Sequence, residues 1–147
     1  AKPYDDKVYA GYQAEWDHLK QCYPGAELLI VSNTAGTSDD KNYMQAEKIE
    51  KTIRVPVLRH KTKKPGCYRE VMAYFKEKGV CNSPKEVAVV GDRLFTDVMM
   101  ANLMGSYGVW ISDGVVPNNQ LVSKMEKHYY QRLLRKGYRP LDPCKND

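Results

Sequence analysis

The sequence predicts an α/β domain with a mostly parallel sheet, and three observations carry that expectation. Short apolar runs at 27–31, 55–58, 87–90 and 107–111 alternate with longer amphipathic segments, the order expected of strands joined by crossover helices. The run Val87-Ala88-Val89-Val90 is apolar throughout and stops abruptly at Gly91-Asp92, which suits a parallel strand covered on both faces. Polar segments follow strands or open helices, so right-handed crossovers would gather them at one edge of the sheet.

Each element has a local reason. Residues 9–22 form a first helix, with Tyr12, Trp16 and Leu19 on one face, ended by Tyr23-Pro24-Gly25. A strand at 27–31 runs into the polar turn 32–38, and Asp39 or Asp40 is placed to cap a helix reaching about residue 51. Segment 55–58 reads as an edge-like strand because Pro56 has no N–H for a ladder. Pro65 opens a helix that runs to residue 78 and stops at Gly79. After the strand at 87–90 come a helix at 96–104, a strand at 107–111 and a last helix at roughly 118–136.

With 147 residues and 42% apolar composition, one core and a single domain over 1–147 are expected. No apolar run is long enough to span a bilayer, and residues 1–6 lack the apolar stretch of a signal peptide. Cys22, Cys67, Cys81 and Cys144 are scattered without a Cys-x-x-Cys pair, which argues against a zinc site or redox motif and for reduced thiols. A net charge of +5 is compatible with an acidic partner but equally with a solvated surface. Tyr and Lys residues form no clear platform for single strands, so nucleic acid is not expected as a partner.

Three polar segments carry the candidate chemistry. Ser32-Asn33-Thr34 offers a hydroxyl and successive backbone N–H groups suited to phosphate oxygens, an ordinary turn being the alternative. In Lys61-Thr62-Lys63-Lys64-Pro65-Gly66, Lys64 directly precedes the proline and the predicted helix start, where anions are favoured; a solvated basic turn is the alternative. Gly91-Asp92 and Asp97 supply carboxylates at a strand end and in the first turn of a helix, hard donors that favour Mg2+, unless they serve only as turn and cap. Hydroxyl, ammonium and carboxylates together fit phosphoryl transfer, which rests on positioning and charge neutralisation.

Apolar strand then Ser-Asn, Lys-Pro and Gly-Asp-x-x-x-x-Asp, in that order, resemble the second, third and fourth motifs of the haloacid dehalogenase (HAD) superfamily of phosphatases. The wording of Leu29-Ile30-Val31-Ser32-Asn33-Thr34-Ala35-Gly36, Lys63-Lys64-Pro65-Gly66-Cys67 and Val87 through Asp97 to Trp110 is similar to the fungal mitochondrial phosphatidylglycerophosphate phosphatases, over nearly the whole chain. The resemblance implies a Rossmann-like, three-layer α/β/α fold with little or no cap domain. It also implies an Asp-x-Asp motif at the end of a first, central strand, which this chain does not show. Its first Asp attacks phosphorus and its second moves protons. Asp5-Asp6 cannot replace it, being adjacent and preceded by no apolar strand. The motif is expected upstream of Ala1, and residues 1–147 alone are expected to be inactive.

By the same resemblance, Ser32 holds a phosphoryl oxygen with Asn33 shaping that pocket, and Lys64, in preference to Lys63, neutralises charge. Asp92 binds Mg2+ directly, while Asp97 supports the metal through water or orients Lys64; Arg93 and Asn102 receive no chemistry. The substrate implied is the phospholipid phosphatidylglycerophosphate, hydrolysed to phosphatidylglycerol on the route to cardiolipin. A peripheral location on the matrix side of the mitochondrial inner membrane follows. The last helix places Leu121, Val122, Met125, Tyr129 and Leu133 in a stripe, with Lys124, Lys127, His128, Arg132 and Arg135 around it. Packing of the stripe on the sheet is expected, with the basic face meeting anionic lipid. Homo-oligomerisation stays open. A soluble phosphomonoester as substrate, or a non-catalytic phosphate-binding scaffold, are the competing functions.

Overall fold

The computed structural model describes residues 7–112 and 121–139. The chain divides into two units, Ala1–Asn82 and Ser83–Asp147. Within the first, a 3-10 turn at Ala10–Tyr12 leads into α1 (Gln13–Cys22), followed by α2 (Met44–Ile53) and α3 (Tyr68–Glu77). The helix expected at 9–22 is thus present with a tighter first turn.

The strands expected at 27–31 and 55–58 reduce to one parallel bridge between Ile30 and Val57. Ile30 donates its N–H to the Pro56 carbonyl and accepts from Leu58 N–H, both at 2.8 Å. The ladder stops at each end for a chemical reason. Towards Leu28, the next donor would be Pro56, which has no N–H. In the other direction, the Ser32 carbonyl lies 2.9 Å from the His60 ring Nε2, while the His60 backbone N–H donates to the Gly36 carbonyl. Gly36 is required there: its φ is +80°, and a Cβ would come 2.2 Å from the Leu58 carbonyl oxygen.

Ala35, Ala46 and Val57 form a buried cluster against which Ile30 and Ile49 pack. Of the two expected caps for α2, Asp40 serves: its carboxylate accepts the N–H groups of Gln45 and Ala46 in the first turn. α3 buries Val71, Met72 and Phe75, and begins later than the sequence predicts. A closed turn intervenes, in which Gly66 N–H donates to the Lys63 carbonyl across a cis Lys64–Pro65 peptide. The first helical bond is Val71 N–H to the Cys67 carbonyl, so Lys64 does not abut the helix N-terminus.

The second unit is a β-α-β element. β1 (Ala88–Gly91) and β2 (Tyr107–Trp110) pair in parallel, with Val90 opposite Val109 and Gly91 opposite Trp110. Between them lie a wide helical turn, Leu94–Val98, and α4 (Met99–Met104); α5 (Leu121–Arg135) follows. Met100, Ala101 and Met104 are buried, and α4 approaches β2 where Gly108 leaves room: a Cβ there would lie 3.3 Å from that of Ala101. Among the described residues of the second unit, helices are seen on one face of the strand at 87–90. Val90 is 62% exposed, while Gly108 on the neighbouring strand faces Ala101 and Val98. Among the described residues the sheet has two strands, a mixed α/β arrangement with parallel pairing. None of Cys22, Cys67 and Cys81 forms a disulfide; Cys144 lies outside the described residues.

Candidate active site

In the first unit, the serine turn and the lysine turn are built as one object. Ser32 Oγ accepts the N–H groups of Thr34 and Ala35, each at 3.2 Å, and lies 3.1 Å from Thr34 Oγ1. A hydroxyl has two acceptor sites and one proton, so with both acceptor sites occupied Ser32 is the donor in its contact with Thr34 Oγ1. The turn expected of an isolated Ser-Asn-Thr is therefore present, and it orients the hydroxyl as a donor. Asn33 Oδ1 accepts Lys64 N–H at 2.7 Å, which fixes the lysine's backbone against the serine turn. His60 adds a second tie, with Nε2 2.9 Å from the Ser32 carbonyl oxygen and Nδ1 2.6 Å from that of Thr62. The Lys63 ammonium pairs with Asp39, both side chains about half exposed.

In the second unit, Asp92 is exposed at the C-terminal end of β1, and Trp110 Nε1 donates to its backbone carbonyl at 3.1 Å. Asp97 is buried (5% exposed), and its Oδ2 accepts Arg93 N–H at 3.2 Å. Gly91 makes this packing feasible, since a Cβ at that position would come 2.2 Å from Asp97 Oδ2. Asp92 thus presents its carboxylate outward, while Asp97 lies folded over the strand end. Among the described residues no group of three or more His, Cys, Asp or Glu side chains is arranged to hold a metal.

A third acid, which sequence reasoning missed, holds this turn. Glu126 on α5 is 2% exposed; its Oε1 accepts Phe95 N–H at 3.0 Å and its Oε2 lies 3.3 Å from Arg93 Nε. The carboxylate also sets the rotation of α5. Glu126, Tyr130 and Leu133 face inward, with Tyr130 edge-on to Trp110 at 4.8 Å between ring centres. The stripe expected to pack on the sheet is correspondingly displaced: Met125 is 66% exposed and Tyr129 about half exposed. Leu121 and Val122 have side chains outside the described set. Arg93, unassigned in the sequence, is the partner of Glu126, and Asn102 lines a groove of about 570 Å³ with Phe95, Met99, Trp110, Tyr130 and Tyr138. His60 and Glu126 carried one sequence signal, a titratable residue beside a candidate loop or within an apolar stripe.

A hydroxyl donor and an ammonium on linked turns are a donor set for an oxyanion, and strand-end carboxylates are one for a hard cation. The chain belongs to the mitochondrial PGP phosphatase family, which it matches over residues 1–116. It is 55% identical to the mitochondrial phosphatidylglycerophosphatase GEP4 of Saccharomyces cerevisiae over 133 residues, covering 90% of this chain and 72% of that protein. A probable mitochondrial phosphatidylglycerophosphatase of Schizosaccharomyces pombe is 32% identical over 116 residues, 78% of this chain and 56% of the relative. The chloroplastic/mitochondrial phosphatidylglycerophosphate phosphatase 1 of Arabidopsis thaliana is 32% identical over 146 residues, but the match spans only 40% of its length. No solved structure matches the chain.

Proposed function

We propose that the complete protein hydrolyses phosphatidylglycerophosphate to phosphatidylglycerol and phosphate in mitochondria. The observation that carries this reading is the 55% identity to the yeast phosphatidylglycerophosphatase over 90% of the chain, with the candidate site residues lying inside the family match at 1–116. The fold proposed is the single-domain, three-layer HAD arrangement without a substantial cap.

In this mechanism Ser32 O–H turns from Thr34 Oγ1 to a phosphoryl oxygen, and Asn33 and Lys64 share a turn system that holds the lysine near the same anion. Lys64 offsets the charge that builds on the phosphoryl oxygens as the bond to the leaving group breaks. The attacking carboxylate, and the acid that protonates the leaving oxygen, are the roles of the Asp-x-Asp motif that the resemblance implies, and none of Ser32, Lys64, Asp92 and Asp97 is assigned to them. Asp92 fits Mg2+ by donor chemistry: an outward carboxylate on a rigid strand end suits an ion that keeps several waters. Asp97 would support it from behind, Asp92 would hold it, and the ion when bound supplies charge neutralisation on the phosphoryl group.

A peripheral encounter with anionic membrane on the matrix side of the inner membrane fits α5. Lys124, Lys127, His128, Arg132 and Arg135 are all exposed there beside Met125 and Tyr129, and no helix among the described residues is long and apolar enough to cross a membrane. Each Lys or Arg at such a surface contributes about 1 kcal/mol.

The test is phosphate release by the full-length protein from vesicles carrying phosphatidylglycerophosphate, with and without Mg2+. Asp92→Asn should abolish the Mg2+-dependent release. Faster release from soluble phosphomonoesters than from the lipid would replace the substrate assignment, and no release from any of them would favour a phosphate-binding scaffold.

A further inference from the structure

His60 is a buried imidazole, 5% exposed, whose two ring nitrogens both face backbone carbonyl oxygens: Ser32 at 2.9 Å and Thr62 at 2.6 Å. A carbonyl oxygen only accepts. Neutral imidazole carries one N–H, so it satisfies one of these contacts and turns a lone pair towards the oxygen of the other; the imidazolium donates to both. The two carbonyls belong to different turns, one preceding Asn33 and the other preceding Lys63-Lys64. Asn33 Oδ1 to Lys64 N–H is the parallel tie between the same turns.

We propose that His60 is a positioning residue whose ring, set between the Ser32 and Thr62 carbonyls, locks the serine turn to the lysine turn and so sets where the Ser32 hydroxyl and Lys64 stand relative to each other. The proposal rests on the reading of those two residues as the phosphate clamp. A ring N–H donating to the Ser32 carbonyl also polarises the Ser32–Asn33 peptide, which strengthens the Asn33 N–H as a donor to an anion. The ring therefore acts on the clamp without touching substrate.

Charged groups surround it through the elements it touches. Glu70 of α3 accepts the N–H groups of Lys61 and Thr62, and Asp40 accepts the N–H of Gly36, whose carbonyl bonds the His60 backbone. Lys63 pairs with Asp39, and Arg59 with Glu50.

The test has two arms on the full-length protein. Nitrogen NMR of 15N-histidine-labelled protein should show a hydrogen-bonded His60 ring N–H that exchanges slowly with water, with signals that vanish in His60→Gln; a ring N–H that exchanges as fast as that of a free histidine overturns the tie between the turns. In kinetics on lipid vesicles, His60→Gln, which keeps a donor for one carbonyl, should lose about tenfold in kcat. His60→Leu, with none, should lose on the order of a hundredfold, the scale of a roughly 1 Å misplacement. KM should move less than kcat in folded protein of either variant. If His60→Gln melts at a lower temperature yet keeps the wild-type kcat, the role is structural only and the proposal falls. Wild-type protein that releases no lipid phosphate would defeat the functional reading, while the NMR arm would still decide how the ring is bonded.

Discussion

Glu126 Oε1 accepts the Phe95 N–H at 3.0 Å, joining α5 to the turn that carries Asp92 and Asp97 across a sequence separation of 31 residues. Its other oxygen lies 3.3 Å from Arg93 Nε. Glu126→Ala leaves a part-buried amide without its acceptor and Arg93 without its carboxylate, at a cost of about 1–3 kcal/mol. Glu126→Gln keeps an acceptor for Phe95 and should cost less. Urea unfolding of both variants measures this, and phosphate release should fall in the same order because the loosened turn is the one that presents Asp92. Equal stability of wild type and Glu126→Ala would show that the buried carboxylate does not hold the turn.

Gly91 and Asp97 make a second constraint on that turn. A methyl group at residue 91 would come 2.2 Å from Asp97 Oδ2 and 2.3 Å from its Cγ, so Gly91→Ala must push the carboxylate off the Arg93 N–H. Overpacking of this kind costs about 1–3 kcal/mol. Mg2+-dependent phosphate release should drop by about tenfold or more while far-UV circular dichroism stays close to wild type. A variant with wild-type Mg2+ dependence would show that the position of Asp97 is unimportant to the cation.

Sequence pattern revealed the β-α-β unit well, because Val87–Val90, Gly91 and the apolar residues after it are local signals of strand, turn and helix. The pairing of Ile30 with Val57 was only partly legible. Pro56 announces that the ladder stops on one side, but nothing local announces that the His60 ring takes the Ser32 carbonyl on the other. Glu126 was hidden for the same reason: an acid inside an amphipathic helix reads as solvent-facing until its acceptor duty to Phe95, far off in sequence, is seen. The place of Lys64 before Pro65 is legible in the sequence, whereas the pairing of Lys63 with Asp39, 24 residues away, is a contact that spacing does not foretell.

The two lysines should separate cleanly by mutation. Lys63 and Asp39 have side chains about half exposed, and an ion pair in that setting contributes about 0–1 kcal/mol. Lys63→Ala should therefore leave both stability and turnover near wild type. Lys64→Ala should reduce kcat on lipid vesicles by on the order of a hundredfold or more, since it removes the ammonium proposed to neutralise the phosphoryl group. A reversed ranking would move the catalytic charge to Lys63.

The first unit should lose stability in acid through Asp40 and Glu50. Burial pushes the Asp40 carboxyl upward, but the N–H groups of Gly36, Gln45 and Ala46, with Arg59 nearby, outweigh it and hold the group below the usual Asp range. The Arg59 guanidinium bonded to Glu50 lowers that carboxyl in turn, against the opposing effect of burial and with help from Val57 N–H. A carboxyl held lower in the folded chain than in the unfolded one binds fewer protons when folded, so it stabilises at neutral pH. That contribution is complete above the unfolded values, about 3.9 for Asp and 4.3 for Glu, and fades as pH falls through the lower folded values. Melting temperatures of wild type and Asp40→Asn, followed from neutral pH down to about pH 3, isolate the Asp40 share. The variant, which cannot ionise, should be less stable at neutral pH, and the gap should close below about pH 4 as wild-type Asp40 takes up its proton. A gap that stays constant over that range would mean that the three amide bonds to Asp40 do not depend on its charge.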